Sequence, residues 1–284
     1  MERMERSIVS QEWVKQQLEN RQVRIVDCRF VLGQPAAGRQ AYLTEHIPGA
    51  LYVDLEQDLS GRKQRHGGRH PLPEVARLAA KLGGLGIDHS VQVVAYDDQG
   101  GAMASRFWWL MRYLGHTRAY VMDGGFLQWK AKGYPVTEEL PSVQPATFIP
   151  QVQKHMLVSM QEVKDRIGKP GTVIIDSREA KRYKGVEEPI DPVAGHIPGA
   201  LHYFWKDGLN EQGTWKSGEE QRRRFAKIDP ADEVIVYCGS GVTACPNILA
   251  LKEAGYQNVK LYAGSWSDWI SYPDNPVERD KDAR

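Results

Sequence analysis

Apolar residues fall in short runs along this chain. Val23-Arg24-Ile25-Val26, Val91 to Tyr96, Ala119 to Met122, Val173-Ile174-Ile175, Val234 to Tyr237 and Val259 to Tyr262 are rich in β-branched and aromatic residues and bounded by polar or glycine positions. Runs of this length and composition read as buried strands. Between them, residues 11–19, Glu74 to Leu82, Ala102 to Leu114 and a stretch carrying Ile248, Leu249 and Leu251 have helical spacing. Gly83-Gly84 and Gly255 end two of these helices, and Ser159 to Glu162 has capping-box spacing at the start of another. Strands alternating with helices predict an α/β fold with parallel sheets covered on both faces and right-handed crossovers.

The order of elements occurs twice. His46-Ile47-Pro48-Gly49-Ala50-Leu51 returns without a mismatch as His196-Ile197-Pro198-Gly199-Ala200-Leu201. Ile25 to Arg29 is answered by Val173 to Arg178, Val93 to Tyr96 by Val234 to Tyr237, and Val121 to Trp129 by Val259 to Trp269. Two copies at this spacing are a tandem duplication rather than a solenoid, whose periods run about 20–50 residues. One domain is expected at 1–136, a linker with Pro141, Pro145 and Pro150 at 137–158, and a second domain at 159–284. The Asp-x-Arg shared by both copies, Asp27/Arg29 and Asp176/Arg178, reads as a structural ion pair.

Lys plus Arg number 37 and Asp plus Glu 36, so no global charge points to nucleic acid or a membrane surface. No stretch reaches the ~20 apolar residues needed to span a bilayer, and Met1 to Ser7 is too charged for a signal peptide. The three cysteines, Cys28, Cys238 and Cys245, are too few for a disulfide scaffold and fit a reducing cytoplasm. Neither metal-ligand spacing nor a nucleotide fingerprint appears, so no cofactor is expected. Arg222-Arg223-Arg224 reads as a solvated helix face.

Cys238 closes a strand and opens a loop, Cys238-Gly239-Ser240-Gly241-Val242-Thr243, that feeds a helix. Backbone N–H groups converge in such a loop, and the helix dipole adds positive potential, so the loop favours a thiolate. Cysteine phosphatases use a similar turn with an arginine six residues beyond the cysteine, a position taken here by Ala244. In the first copy the position of Cys238 is Asp97, which cannot carry sulfur, so that copy is expected to be inert. The first copy is also nine residues longer between its histidine and this position, and the charged stretch Gly61 to His70 accounts for the excess.

The loop from Cys238 to Thr243, followed by Ala244, closely resembles the active-site loop of the rhodanese family, in its mercaptopyruvate branch. The resemblance covers essentially the whole chain and implies two tandem rhodanese-like domains, the second catalytic. It implies that Cys238 takes sulfur from a small anionic donor as a persulfide within the loop of Gly239, Gly241, Val242 and Thr243. It implies further that Ser240 works with His70 and an acid, Glu56, with Asp54 as a rival, and that Arg182 holds the donor's anionic group. One departure stands out. The second donor-binding arginine of the mercaptopyruvate branch, nine residues beyond the first, is replaced by Asp191, which predicts a raised KM for that donor.

The implied activity moves sulfur from 3-mercaptopyruvate, with thiosulfate as second donor, to cyanide, a thiol or thioredoxin. Two alternatives remain at this point: thiosulfate:cyanide transfer as the main activity, and a persulfide-carrying or redox-sensing module with little turnover.

Overall fold

The computed structural model describes residues 6–280. The chain forms two compact units, each incorporating a segment from the opposite half of the sequence. Unit 1 holds Met1–Gly61, Leu72–Gln153 and Glu211–Trp215; unit 2 holds Arg62–Pro71, Lys154–Asn210 and Lys216–Arg284.

In unit 1 the strands are β1 (Ile8–Val9), β2 (Val23–Asp27), β3 (Leu51–Tyr52), β4 (Gln92–Tyr96) and β5 (Ala119–Met122). They pair in parallel in the order β1-β5-β4-β2-β3. Helices α1 (Gln11–Gln16), α2 (Ala37–Thr44), α3 (Val75–Gly84), α4 (Ala102–Tyr113) and α5 (Gly125–Ala131) flank the sheet. The chain winds outward from β2 to β3 and returns on the far side of β2 as β4. The carboxyl ends of β2 and β4 thus border the point where the winding reverses, which is where open α/β sheets form ligand crevices.

Unit 2 repeats this plan. Its strands are β6 (Leu157–Val158), β7 (Thr172–Asp176), β8 (Leu201–His202), β9 (Glu233–Tyr237) and β10 (Val259–Tyr262), in the parallel order β6-β10-β9-β7-β8. The helices are α6 (Met160–Arg166), α7 (Ala180–Lys184), α8 (Gly218–Arg224), α9 (Ala244–Glu253) and α10 (Ser265–Trp269). The reversal falls between β7 and β9, where Asp176 is in register with Tyr237.

Equivalent side chains build both cores. Ile47, Val94, Tyr96, Phe126 and Trp129 pack together in unit 1, as do Ile197, Ile235, Tyr237, Trp266 and Trp269 in unit 2. The repeated Asp-x-Arg is a buried ion pair in both. Arg29 Nη2 lies 2.7 Å from Asp27 and Arg178 Nη2 lies 2.6 Å from Asp176. Each arginine also donates to a carbonyl, of Glu45 and of Gly195, and sits over an aromatic ring, Phe126 or Trp266. A buried pair needs such extra bonds to offset its desolvation. The repeated histidines are structural as well: His46 Nδ1 is 2.7 Å from the Tyr42 carbonyl and His196 Nδ1 is 2.7 Å from that of Tyr183.

Residues 137–153 lie on unit 1. Thr137 pairs with His46, the Ala146 and Gln151 N–H groups donate to Gly83 and Leu114, and Phe148 is buried against His89. Arg224 corrects the solvated-face reading of the arginine triplet. Arg222 and Arg223 are exposed, but Arg224 reaches inward to the Phe204 carbonyl at 2.6 Å and Asn247 Oδ1 at 2.9 Å. Burial pulls its pKa down to about 10. No described helix is long and apolar enough to cross a membrane.

Candidate active site

Cys238 follows β9 directly and is buried. Its Sγ accepts the N–H of Gly241 at 3.2 Å, the first bond of a cradle that leads into α9. Gly241 adopts φ +78°, and a Cβ there would collide with the Ala263 carbonyl, so only glycine closes the turn this tightly. Thr243 stands at the N-cap of α9, and Ala244 is its buried first residue. The backbone of the loop is fastened from the side of α10. The Cys238 N–H donates to Ser265 Oγ at 3.1 Å, Trp266 N–H to the Cys238 carbonyl at 2.9 Å, and Ser267 N–H to the Gly239 carbonyl at 3.0 Å.

The segment Arg62–Pro71 belongs to this unit and brings two further side chains to the loop. Gly68, at φ +82°, lies so close to the Gly264 carbonyl that no side chain fits. Gly67 N–H donates to Asp268 at 2.6 Å, Arg69 N–H to Ser267 at 3.1 Å, and the His66 ring stacks on Tyr272. Held in this way, His70 is buried with Nδ1 2.8 Å from Ser240 Oγ. Two side chains 170 positions apart in sequence thus meet two residues beyond the thiol.

Arg182, on α7, lies beside the same loop. Its Nε is 2.9 Å from both Glu188 oxygens and its Nη2 is 3.1 Å from Asp191. Arg69, part of the charged stretch Gly61 to His70, donates Nη1 to the other Asp191 oxygen. A Cβ added at Gly239 would lie 2.9 Å from Arg69 Nη2 and 3.4 Å from Arg182 Nη2. The sequence carried no local signal for this, because Arg69 and Asp191 are 122 positions apart. Among the described residues, no group of three or more His, Cys, Asp and Glu side chains is disposed to hold a metal ion.

A family model for the rhodanese-like domain matches residues 10–132 and again 159–272. The chain belongs to the rhodanese family. It is 45% identical over 258 residues to a probable 3-mercaptopyruvate sulfurtransferase of Pseudomonas aeruginosa, covering 89% of this chain and 91% of that one. It is 32% identical over 292 residues to a thiosulfate sulfurtransferase of Rattus norvegicus, covering 98% and 97%. The solved 3-mercaptopyruvate sulfurtransferase of Leishmania major superposes with a TM-score of 0.80 at 32% identity, over 92% of this chain and 73% of that one. These relatives are sulfurtransferases, and the chain is an enzyme of that class.

The first rhodanese domain fills its own cradle. Both Asp97 oxygens are taken by backbone N–H groups: those of Gln99 and Gly101 at 2.8 and 2.9 Å, and those of Met103 and Ala104 at 2.7 and 2.9 Å. Burial raises the pKa of this carboxyl and the four donors oppose the shift. Phe126 N–H donates to the Asp97 carbonyl at 2.8 Å, just as Trp266 N–H does to that of Cys238. Glu56 lies in unit 1 with its side chain exposed, in the turn after β3. Asp54 organises that turn: Oδ1 accepts the Glu56 and Gln57 N–H groups at 2.8 Å each, and Oδ2 accepts the Tyr52 hydroxyl at 3.1 Å.

Proposed function

We propose that the enzyme transfers sulfur from 3-mercaptopyruvate through a persulfide on Cys238, with thiosulfate as a second donor. The Cys238 thiolate attacks the donor sulfur, a new S–S bond forms and the C–S bond breaks, leaving its electron pair as the enolate of pyruvate. A proton delivered to the enolate carbon completes the half-reaction. The observation that supports this donor is the 2.8 Å contact between His70 Nδ1 and Ser240 Oγ, a proton path beside the sulfur carrier. Thiosulfate leaves sulfite and needs no carbon protonation, so the relay serves one donor only. In the second half-reaction cyanide, a small thiol or thioredoxin attacks the outer sulfur and regenerates the thiolate.

In this reading the N–H groups of residues Gly239 to Thr243 stabilise the persulfide, Arg182 holds the donor's anionic group and Glu56 supports the relay. The first domain is a catalytically inert partner, because Asp97 already occupies its cradle. A reactive thiol suits the reducing cytoplasm.

Incubation with 3-mercaptopyruvate should add one cyanide-labile sulfur atom, seen by mass spectrometry, and Cys238→Ser should abolish adduct and turnover together. Undiminished turnover in that variant would sink the mechanism. Asp191, standing where the mercaptopyruvate branch carries an arginine, favours thiosulfate as the rival donor, and the ratio of the two kcat/KM values decides between them.

A further inference from the structure

The segment Arg62–Pro71 brings His70 to the cysteine loop with no helix or strand of its own. Its place is fixed from α10. Asp268 is only 5% exposed, and two donors compensate its carboxylate. Oδ1 accepts the Gly67 N–H at 2.6 Å and Oδ2 accepts the Tyr262 hydroxyl at 2.7 Å. A carboxylate is costly to bury unless donors reach its oxygens, and one of the two here comes from the Arg62–Pro71 backbone. Ser267, next to it, accepts the Arg69 N–H at 3.1 Å. Bonds therefore fall on both sides of Gly68 and stop one residue short of His70.

The first copy has the same device in weaker form. Gln128 stands where Asp268 does, one residue before the equivalent tryptophans Trp129 and Trp269. Its side-chain N–H donates to the Gln212 carbonyl, in the Glu211–Trp215 segment that unit 1 receives from the second half of the chain. One position in each repeat thus clasps the backbone of a segment from the opposite half. The chemistry differs. The first copy uses a half-buried neutral amide preceded by the exposed Leu127, the second a buried carboxylate preceded by Ser267. A charge-assisted bond is roughly twice as strong as a neutral one. The stronger clasp lies in the copy whose captured segment carries a side chain onto the catalytic loop.

We infer that Asp268 is a positioning residue for sulfur transfer, acting through Gly67 to hold His70 against Ser240. The inference rests on the proton relay proposed above. A relay works only while its members stay within hydrogen-bond reach, and a displacement of about 1 Å can cost about 100-fold in rate. Loss of the clasp frees the segment behind His70 and loosens its 2.8 Å contact with Ser240. It therefore lowers kcat for the donor that needs the proton, while every group that meets the donor stays in the chain.

The test is steady-state kinetics of the full-length enzyme, with 3-mercaptopyruvate and with thiosulfate. The variants are Asp268→Ala, Asp268→Asn, Gln128→Ala, His70→Ala and the double variant Asp268→Ala/His70→Ala. Asp268→Ala should lower kcat with 3-mercaptopyruvate by about tenfold, with KM and thiosulfate turnover changed less than about threefold. Asp268→Asn keeps an oxygen for Gly67 and should recover part of the loss. Gln128→Ala, the same truncation in the first copy, should leave turnover of both donors within about twofold of wild type. In the His70→Ala background, Asp268→Ala should cost less than about twofold more, because it acts through a side chain already removed. A further loss as large as in wild type would overturn the inference, as would equal losses with both donors or an unchanged kcat in Asp268→Ala. Should Asp268→Ala not fold, Ser267→Ala, which releases the Arg69 N–H, puts the same question: a loss confined to 3-mercaptopyruvate supports the inference and an equal loss overturns it. His70→Ala as active as wild type would remove the relay itself, and the inference with it.

Discussion

The amide of Cys238 is held by the hydroxyl of Ser265, and Ser265 is the one non-glycine residue among those described with positive φ, at +56°. Its counterpart in the first domain is Gly125, at φ +58°. A serine in this conformation is strained by on the order of 1 kcal/mol or more, and it persists because its hydroxyl bonds both Cys238 N–H and the Tyr262 carbonyl. Ser265→Ala keeps the strain and orphans a buried N–H, so it should destabilise the protein by about 1–3 kcal/mol. Ser265→Gly loses the same bonds but relieves the backbone and should fall between. Thermal unfolding followed by circular dichroism ranks the three, and an alanine variant as stable as wild type would contradict this account.

Ser240→Ala and His70→Ala should lower kcat with 3-mercaptopyruvate by about 100-fold, the lower end of general acid–base effects, and with thiosulfate far less. Parallel kinetics with both donors check this. Equal losses would mean that the two residues only shape the loop.

Asp54 and Glu56 separate by stability. Asp54→Ala removes the acceptor of two turn N–H groups and of the Tyr52 hydroxyl, and should cost about 1–2 kcal/mol. Glu56→Gln alters an exposed side chain and should shift stability by less than about 0.5 kcal/mol. Reduced kcat in Glu56→Gln at unchanged stability is the expected signature of a relay acid, and unchanged kcat would remove Glu56 from the mechanism.

His116 gives a pH dependence. It is buried, its Nε2 lies 3.0 Å from the Asp88 carbonyl, and desolvation pulls its pKa from 6.5 down to about 4. Between those values the unfolded chain binds a proton that the folded chain refuses, so stability falls as pH drops. The loss approaches about 3 kcal/mol at the lower limit. Urea unfolding between pH 7 and pH 4 should show this slope, and His116→Gln should flatten it.

The parts legible in sequence were those where one short run decides one element. β5 and β10 span the residues that the apolar runs indicated, and the Ser159 capping box forms as its spacing implies. Helices α2 and α7 were not placed. The first opens in Ala-Gly-Arg-Gln and the second is five residues long, too brief for a periodic signal. Arg224 shows the limit of reading a charge run as a face, since one turn of helix can aim one of three arginines inward. The active site divided in the same way. Cys238 and Ser240 share a local motif with its own backbone logic, while Arg69 acquires meaning only through Asp191 and Gly239, which no local pattern joins to it.

The exchange of segments between the two units bears on synthesis. A ribosome releases the chain from its amino end, so most of unit 1 is available to fold once Gln153 has emerged, yet Glu211–Trp215 is still missing. Trp215, whose N–H caps Asp123 at 2.9 Å, arrives only after β6, β7 and β8 have been made. Conversely, Arg69 and His70 are exported early and must wait for Ser240, the glycine loop and α10 before they have anything to hold. Cutting the gene between the two halves would leave each product lacking a strip of its own unit, Glu211–Trp215 for the first.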